Sequence, residues 1–162
     1  MLNNEQVGIS AEIAIADVFG VSINPTYRSR GVSSITQSIK PIVGIIFASY
    51  NIPSPIKHIA EGQNAVDFNL SGGKTLSVKT NKQALGKAAP QKIGQASSST
   101  WYSHLAKALS IETIPSTYAE KARLFKQIAL IRIDELLALY WENMFDCDYL
   151  VHFYNVVDRN DN

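Results

Sequence analysis

The sequence contains little cysteine, few histidines and no long apolar run, and each shortage argues against a class of protein. One cysteine, Cys147, among 162 residues excludes an internal disulfide and a zinc site built on several thiolates. His58, His104 and His152 lack the spacing of metal ligands, which argues against a histidine-based zinc centre. The longest apolar stretch, residues 41–48, is too short for a membrane span, and the N-terminus does not resemble a secretory signal. These features predict a protein of the reducing cytoplasm without a membrane partner.

Sequence signals for small-molecule chemistry are also missing. No GxxxxGK[ST] loop is present, so we expect no nucleotide cofactor. A nucleophile–base pair and a glycine-rich cofactor loop are lacking too, which leaves little support for a small-molecule enzyme of α/β type. The apolar fraction of 46% is ordinary for a folded protein, and we expect one domain spanning residues 1–162.

The net charge of +1 hides an uneven distribution of charge along the chain. Residues 68–107 contain six lysines and no acid, which gives +6, whereas residues 108–162 contain five basic and nine acidic residues, which gives −4. A basic segment in a nearly neutral protein suits contact with nucleic-acid phosphates. A solvated, lysine-rich surface is the alternative explanation.

Helical and β patterns follow one another along the chain. Asn3 and Asn4 are suited to cap a helix that ends near Phe19, with Gly20 as its stop. A second helix is predicted from residue 34 to 50, with Pro41 disturbing it, and residues 21–31 are predicted as a loop. Later helices are predicted from Pro90 and over residues 99–109 and 117–144.

The β-prone segments predict a hairpin and a final strand. Residues 65–70 and 74–80 alternate in polarity on either side of Ser71-Gly-Gly73, which is typical of a tight turn. Residues 149–157 form a second β-prone run. The order of elements predicts an α/β fold with a mixed sheet, in which a central hairpin is flanked by helices.

The hairpin also carries residues suited to metal-assisted hydrolysis. Such chemistry uses one or two carboxylates to hold Mg²⁺ and often a lysine near the attacking water. Asp67 on the first strand and Lys79 on the second have these functional groups. Whether both side chains lie on one face depends on the register of the turn, which the sequence leaves open.

Four features follow one another along the chain: Glu12, VDFNL (66–70), LSVKTNK (76–82) and PQKIGQ (90–95). In the order of these features, the chain resembles the PD-(D/E)xK nuclease superfamily, and type II restriction endonucleases in particular. The resemblance covers roughly the first hundred residues and implies a restriction-endonuclease-like core. It also implies that Asp67 is a metal ligand, that Lys79 is the catalytic lysine and that Glu12 completes a Mg²⁺ site.

Two positions depart from the pattern of this superfamily. Val66 replaces proline before Asp67, and Ser77 replaces the acid expected two residues before Lys79. A neutral hydroxyl is a weak magnesium ligand, so another carboxylate must take its place. Glu12 and Glu61 are the candidates, and Glu12 is favoured.

Several polar side chains are candidates for contact with DNA. Arg28 and Arg30 lie beside Tyr27, and arginine binds phosphate or reads guanine through two hydrogen bonds. Ordinary surface exposure is the alternative for these residues. The full set of predicted DNA-contacting residues is Arg28, Arg30, Lys82, Lys87, Gln91 and Gln95.

The sequence thus predicts a Mg²⁺-dependent type II restriction endonuclease that cleaves double-stranded DNA as a homodimer. A repair or junction-resolving nuclease of the same fold is the alternative within this class. A DNA-binding module without catalysis is the alternative outside it, because Ser77 replaces an acid. The chain ends soon after its last β-prone run, which leaves a fragment of a longer enzyme as an open possibility.

Overall fold

The computed structural model of the protein describes residues 3–60, 66–81 and 106–156. The chain separates into two compact units, one of residues 1–88 and 147–162 and the other of residues 89–146. The expectation of a single domain stays a prediction, and each unit is described below by itself. Within the described ranges, none of the helices combines the length and apolar character needed to cross a membrane.

Helix α1 (Asn4–Phe19) is the central helix of the first unit. The Asn3 side chain accepts a hydrogen bond from the Gln6 N–H, and the Gln6 side chain accepts one from the Asn3 N–H, which together form a capping box. Gly20 ends the helix in the left-handed conformation, with φ of 68°. The predicted start and end of this helix are confirmed.

Helix α2 (Pro25–Arg28) is a single turn within the segment predicted as a loop. That prediction was wrong for this turn, because Asn24 accepts a hydrogen bond from the Thr26 N–H and Pro25 occupies the first turn. Gly31 follows, and a Cβ atom there would lie only 2.4 Å from Cδ1 of Ile13. Glycine therefore allows this segment to pack closely on α1.

Helix α3 (Ser33–Ser49) packs along α1 and runs through Pro41. Ser10 of α1 joins the two helices, because its hydroxyl accepts from the Val32 N–H at 2.8 Å and its carbonyl accepts from Thr36 Oγ1 at 3.2 Å. The predicted second helix is confirmed.

The sheet of the first unit has four strands in the order β1-β2-β3-β4. The predicted hairpin is confirmed as β2 (Phe68–Leu70) and β3 (Thr75–Thr80), joined by a 3₁₀ turn at Ser71–Gly73. The predicted final strand is confirmed as β4 (Tyr149–Phe153), which runs parallel to β3. The sheet is mixed, and with its helices the first unit has an α/β fold.

Strand β1 (Pro55–His58) pairs antiparallel with β2 and has no counterpart among the predicted elements. Pro53 and Pro55 argue against a strand in the sequence, because proline is rare within strands. Proline is nevertheless tolerated at the first residue of an edge strand, which is the position of Pro55. This strand brings His58 opposite Phe68.

The core of the first unit lies between the sheet and the helices α1 and α3. Its largest fully buried side chains include Phe68, Ile15, Ile35, Leu70 and Leu76. Such burial is the main source of stability and fixes the orientation of α1 over β3.

The second unit contains helices α4 (Tyr118–Ile131) and α5 (Ile133–Met144). One continuous helix was predicted over these residues, and that prediction was wrong at Arg132. The Arg132 backbone leaves helical geometry, with φ of −127° and ψ of 41°, while its guanidinium donates to the Leu109 carbonyl at 2.9 Å. This contact between distant parts of the sequence accompanies the break.

Candidate active site

Asp67 lies immediately before β2, where backbone hydrogen bonds hold it from two sides. Its N–H donates to the Leu76 carbonyl at 2.9 Å, and its carbonyl accepts from the Ile59 N–H at 2.9 Å. The residue is buried, with 8% exposure. The sheet therefore fixes the position from which the carboxylate projects.

The register of the hairpin places Asp67 and Lys79 on the same face. Phe68 pairs with Leu76, and continuing the antiparallel register by one residue places Asp67 opposite Ser77. The Lys79 ammonium donates to Ser77 Oγ at 2.7 Å, and Ser77 Oγ lies 3.4 Å from Asp67 Oδ2. Ser77 therefore links the two residues that the sequence proposed for the site.

Glu12 projects from α1 and is buried, with 6% exposure. Its Oε2 atom accepts a hydrogen bond from the Tyr27 hydroxyl at 2.9 Å and lies 2.7 Å from His58 Nε2. Because a carboxylate can only accept, we assign the shared proton of the second contact to Nε2 of the imidazole. Helix α1, helix α2 and strand β1 thus converge on one carboxylate oxygen.

Burial and a neighbouring charge alter the acidity of this cluster. Burial raises the pKa of Asp67, and the negative charge of Glu12 raises it further, to about 7. The Val78 N–H, which donates to Asp67 Oδ2 at 2.6 Å, opposes this rise in pKa together with Lys79 and Ser77. Glu12 and Asp67 are therefore close enough to repel each other when both are ionised.

The same two forces act on the phenol of Tyr27. Burial raises the pKa of Tyr27 well above its ordinary value, and the charge of Glu12 and the hydrogen bond to it raise it further. The phenol therefore keeps its proton and remains a donor to Glu12 near neutral pH.

Glu12 and Asp67 are the residues of this cluster that could hold a magnesium ion. The protein donors reach Glu12 Oε2 and Asp67 Oδ2, and no residue in the described ranges donates a hydrogen bond to Glu12 Oε1 or Asp67 Oδ1. Two buried carboxylates that repel each other are stabilised by a divalent cation, and Mg²⁺ takes one or two protein carboxylates and completes its shell with water. Glu12 and Asp67 fit that requirement.

A larger set of ligands is not present in the part of the chain described. Across residues 3–60, 66–81 and 106–156, no group of three or more histidine, cysteine, aspartate or glutamate residues could hold a metal ion.

The two arginines predicted to contact DNA are engaged in ion pairs. Arg28 donates to Asp17 at 2.6 Å, and Lys40 contacts the same carboxylate at 2.7 Å. The hydrogen bond from Arg28 is the main cause that lowers the pKa of Asp17. Arg30 pairs with Glu5. Each guanidinium therefore already has a carboxylate as a partner.

Five of the predicted site residues lie outside the described residues. They are Glu61, Lys82, Lys87, Gln91 and Gln95. Their predicted roles as an alternative metal ligand and as DNA contacts stay predictions.

Sequence reasoning missed the roles of His58 and Tyr27 around Glu12. In the sequence, His58 is one of three scattered histidines, and Tyr27 is a neighbour of two arginines. They lie 46 and 15 residues from Glu12, and no local pattern reports contacts over such separations. The only sequence signal that α1 approaches the sheet was a glutamate on a helix, followed later in the chain by a β-hairpin.

Comparison of the chain with protein-family models, with curated proteins and with solved structures gave no match. The residues of the site are therefore the basis for a functional assignment.

Proposed function

We propose that the chain is a metal-dependent phosphodiester hydrolase of the PD-(D/E)xK type. Within this class, we propose a type II restriction endonuclease that cleaves double-stranded DNA. The observation that carries the proposal is the placement of Asp67, Ser77 and Lys79 on one face of a hairpin. Glu12 is near enough for its charge to raise the pKa of Asp67.

The polar groups of the cluster have distinct parts in this reaction. Glu12 and Asp67 would hold Mg²⁺, which when bound supplies charge neutralisation at the phosphate and acidifies water. The Lys79 ammonium would orient the attacking water and stabilise negative charge that develops on the phosphate oxygens. Its hydrogen bond to Ser77 keeps Nζ on the face that carries Asp67.

Ser77 accounts for the departure from the pattern of the superfamily. Ser77 is almost fully buried, with 1% exposure, and its hydroxyl bridges Lys79 and Asp67. In this proposal, Glu12 provides the carboxylate that the superfamily usually has at the position of Ser77. Cleavage of both strands of a palindromic site requires two such sites, so we propose that the enzyme acts as a homodimer.

A DNA-binding module without catalysis is the second candidate function. It is favoured by the presence of serine at position 77 and by the lack of three convergent metal ligands among the described residues. Such a module would bind DNA equally well in EDTA and in Mg²⁺, and it would leave the DNA intact.

Cleavage of mixed-sequence DNA in Mg²⁺ tests the proposal. We expect cleavage that EDTA abolishes and that Lys79→Ala slows by about 100-fold or more, because a positioned proton-transfer group contributes about that much. Lys57→Ala is the matched control, since Lys57 is an exposed lysine of the same sheet.

The fragment ends distinguish the candidates within the class. A shared sequence at the ends supports a restriction enzyme, whereas cutting at junctions or damaged sites without sequence preference supports a repair or junction-resolving nuclease. Intact DNA after incubation with wild-type protein in Mg²⁺ or Mn²⁺ would contradict the proposed activity.

A further inference from the structure

Tyr27 and His58 bind Glu12 through the same oxygen atom. The Tyr27 hydroxyl and the His58 imidazole both reach Oε2, at 2.9 and 2.7 Å. In the described residues no donor reaches Oε1. A carboxylate held in this way cannot rotate without losing two hydrogen bonds, one of them buried and the other partly buried.

The two donors are themselves held by their surroundings. The His58 side chain is 1% exposed, and its ring lies 4.9 Å from the ring of Tyr27 and 5.1 Å from that of Phe68. Phe68 is fully buried and directly follows Asp67 in the chain. Packing therefore connects the donors of Glu12 to the strand that positions the other carboxylate.

We propose that Tyr27 and His58 are positioning residues, which bind Oε2 of Glu12 so that Oε1 is oriented to bind the divalent cation. The inference rests on the proposed function, because it takes Glu12 as a ligand of the cation. It gives Tyr27 a different role from that of its neighbours Arg28 and Arg30, whose guanidiniums pair with surface carboxylates.

The energetic reason is that a fixed ligand loses less conformational freedom when the cation binds. Groups that orient a metal ligand typically change metal affinity by about 10- to 100-fold when they are removed. A purely structural contact between α1, α2 and β1 would instead affect folding and leave the affinity of the folded protein for the cation unchanged. Metal affinity and thermal stability therefore separate the two roles.

Isothermal titration calorimetry, in which Mn²⁺ is added to the full chain without DNA, measures the affinity for the cation directly. We expect Tyr27→Phe and His58→Leu each to raise the Kd for Mn²⁺ by about 10-fold or more. His58→Gln should restore the affinity to within about threefold of wild type, because the glutamine amide places an N–H donor near the position of Nε2. Tyr50→Phe is the matched control, since Tyr50 is 74% exposed and lies at the end of α3.

Melting in EDTA accompanies each titration, so that loss of folding is not mistaken for loss of affinity. An unchanged Kd in folded Tyr27→Phe overturns the proposal, as does equal affinity in His58→Leu and His58→Gln. Tyr27→Phe decides the matter if His58→Leu fails to fold, because it removes one oxygen and retains the ring.

The outcome for the proposed function can be read separately. Weaker Mn²⁺ binding in the variants of a protein that cuts no DNA supports the positioning role and contradicts the nuclease activity. Unchanged binding in variants of a protein that does cut DNA overturns the positioning role alone. A wild-type protein that binds no Mn²⁺ overturns the positioning role.

Discussion

The negative charge of Asp67, which the proposed metal site needs, destabilises the fold when no cation is bound. A buried carboxylate loses hydration, and here it also faces the charge of Glu12. The Val78 N–H, Lys79 and Ser77 offset only part of this, since the pKa of Asp67 remains raised to about 7. Without a cation, the folded protein therefore binds a proton at Asp67 more tightly than the unfolded chain does.

Asp67→Asn should make the metal-free protein more stable above pH 7. The pKa of Asp67 is raised on folding, so the stability that protonation confers is present below the unfolded pKa near 3.8 and is lost as the pH rises through about 7. Asparagine has no proton to lose, so its advantage over aspartate should be larger at pH 8 than at pH 5, by about 2–3 kcal/mol. Urea unfolding in EDTA at both pH values measures the difference.

Glu112→Gln provides the control for that measurement, because Glu112 is exposed and its neutralisation should change the stability little at either pH. Equal stability of Asp67→Asn and wild type at pH 8 would contradict the conclusion that the ionised Asp67 destabilises the metal-free fold. The same variant should also bind Mn²⁺ more weakly, since an amide is a poorer ligand for hard cations than a carboxylate.

At the scale of single elements, features with local signals were predictable from the sequence. The capping box of α1, its terminal glycine and the turn of the hairpin each depend on residues a few positions apart, and each was predicted. Strand β1 and the break at Arg132 depend on tertiary contacts, and they were missed. The turn of α2 was missed although Asn24 and Pro25 are local signals for it. Asp67 and Lys79 could be named but not placed on one face, because a one-residue change of register would separate them.

Helix α3 contains the clearest local conflict, because it continues through Pro41. Proline there lacks the N–H that would donate to the carbonyl four residues earlier, and its ring crowds that carbonyl. Burial of Ile35, Ile39, Val43 and Phe47 along α3 shows what offsets this loss. Tertiary packing of the apolar face maintains a helix that its local sequence disfavours.

Pro41→Ala should therefore raise the free energy of unfolding by about 1–2 kcal/mol. The gain in helix propensity is about 3 kcal/mol, and the greater freedom of the unfolded chain removes about 1 kcal/mol or more of it. Pro53→Ala is the control, since Pro53 lies in a loop and its replacement should leave stability unchanged or lower it. Equal or lower stability of Pro41→Ala in urea unfolding would mean that proline suits the shape that α3 requires.

At the scale of the whole molecule, the small net charge does not describe the local charge that a nucleic acid would contact. Of the six lysines of residues 68–107, Lys74 and Lys79 belong to the hairpin, and Lys82, Lys87, Lys92 and Lys107 follow later in the chain. The excess of acid lies in residues 108–162. Under the proposed function, DNA should contact the basic segment, and the salt dependence of binding should report that contact.

A triple variant in which Lys82, Lys87 and Lys92 are each replaced by glutamine tests whether DNA contacts this basic segment. Each lost phosphate contact should reduce the slope of log K against log salt by about 0.9, so the triple variant should lose up to about 3 per protomer. Binding in EDTA, followed by fluorescence anisotropy over a range of salt concentrations, gives the slope without cleavage. The matched control removes three charges elsewhere, through Lys121→Gln, Arg123→Gln and Lys126→Gln. An equal change of slope in both triple variants would mean that binding follows total charge, and the basic segment would then have no special role in DNA contact.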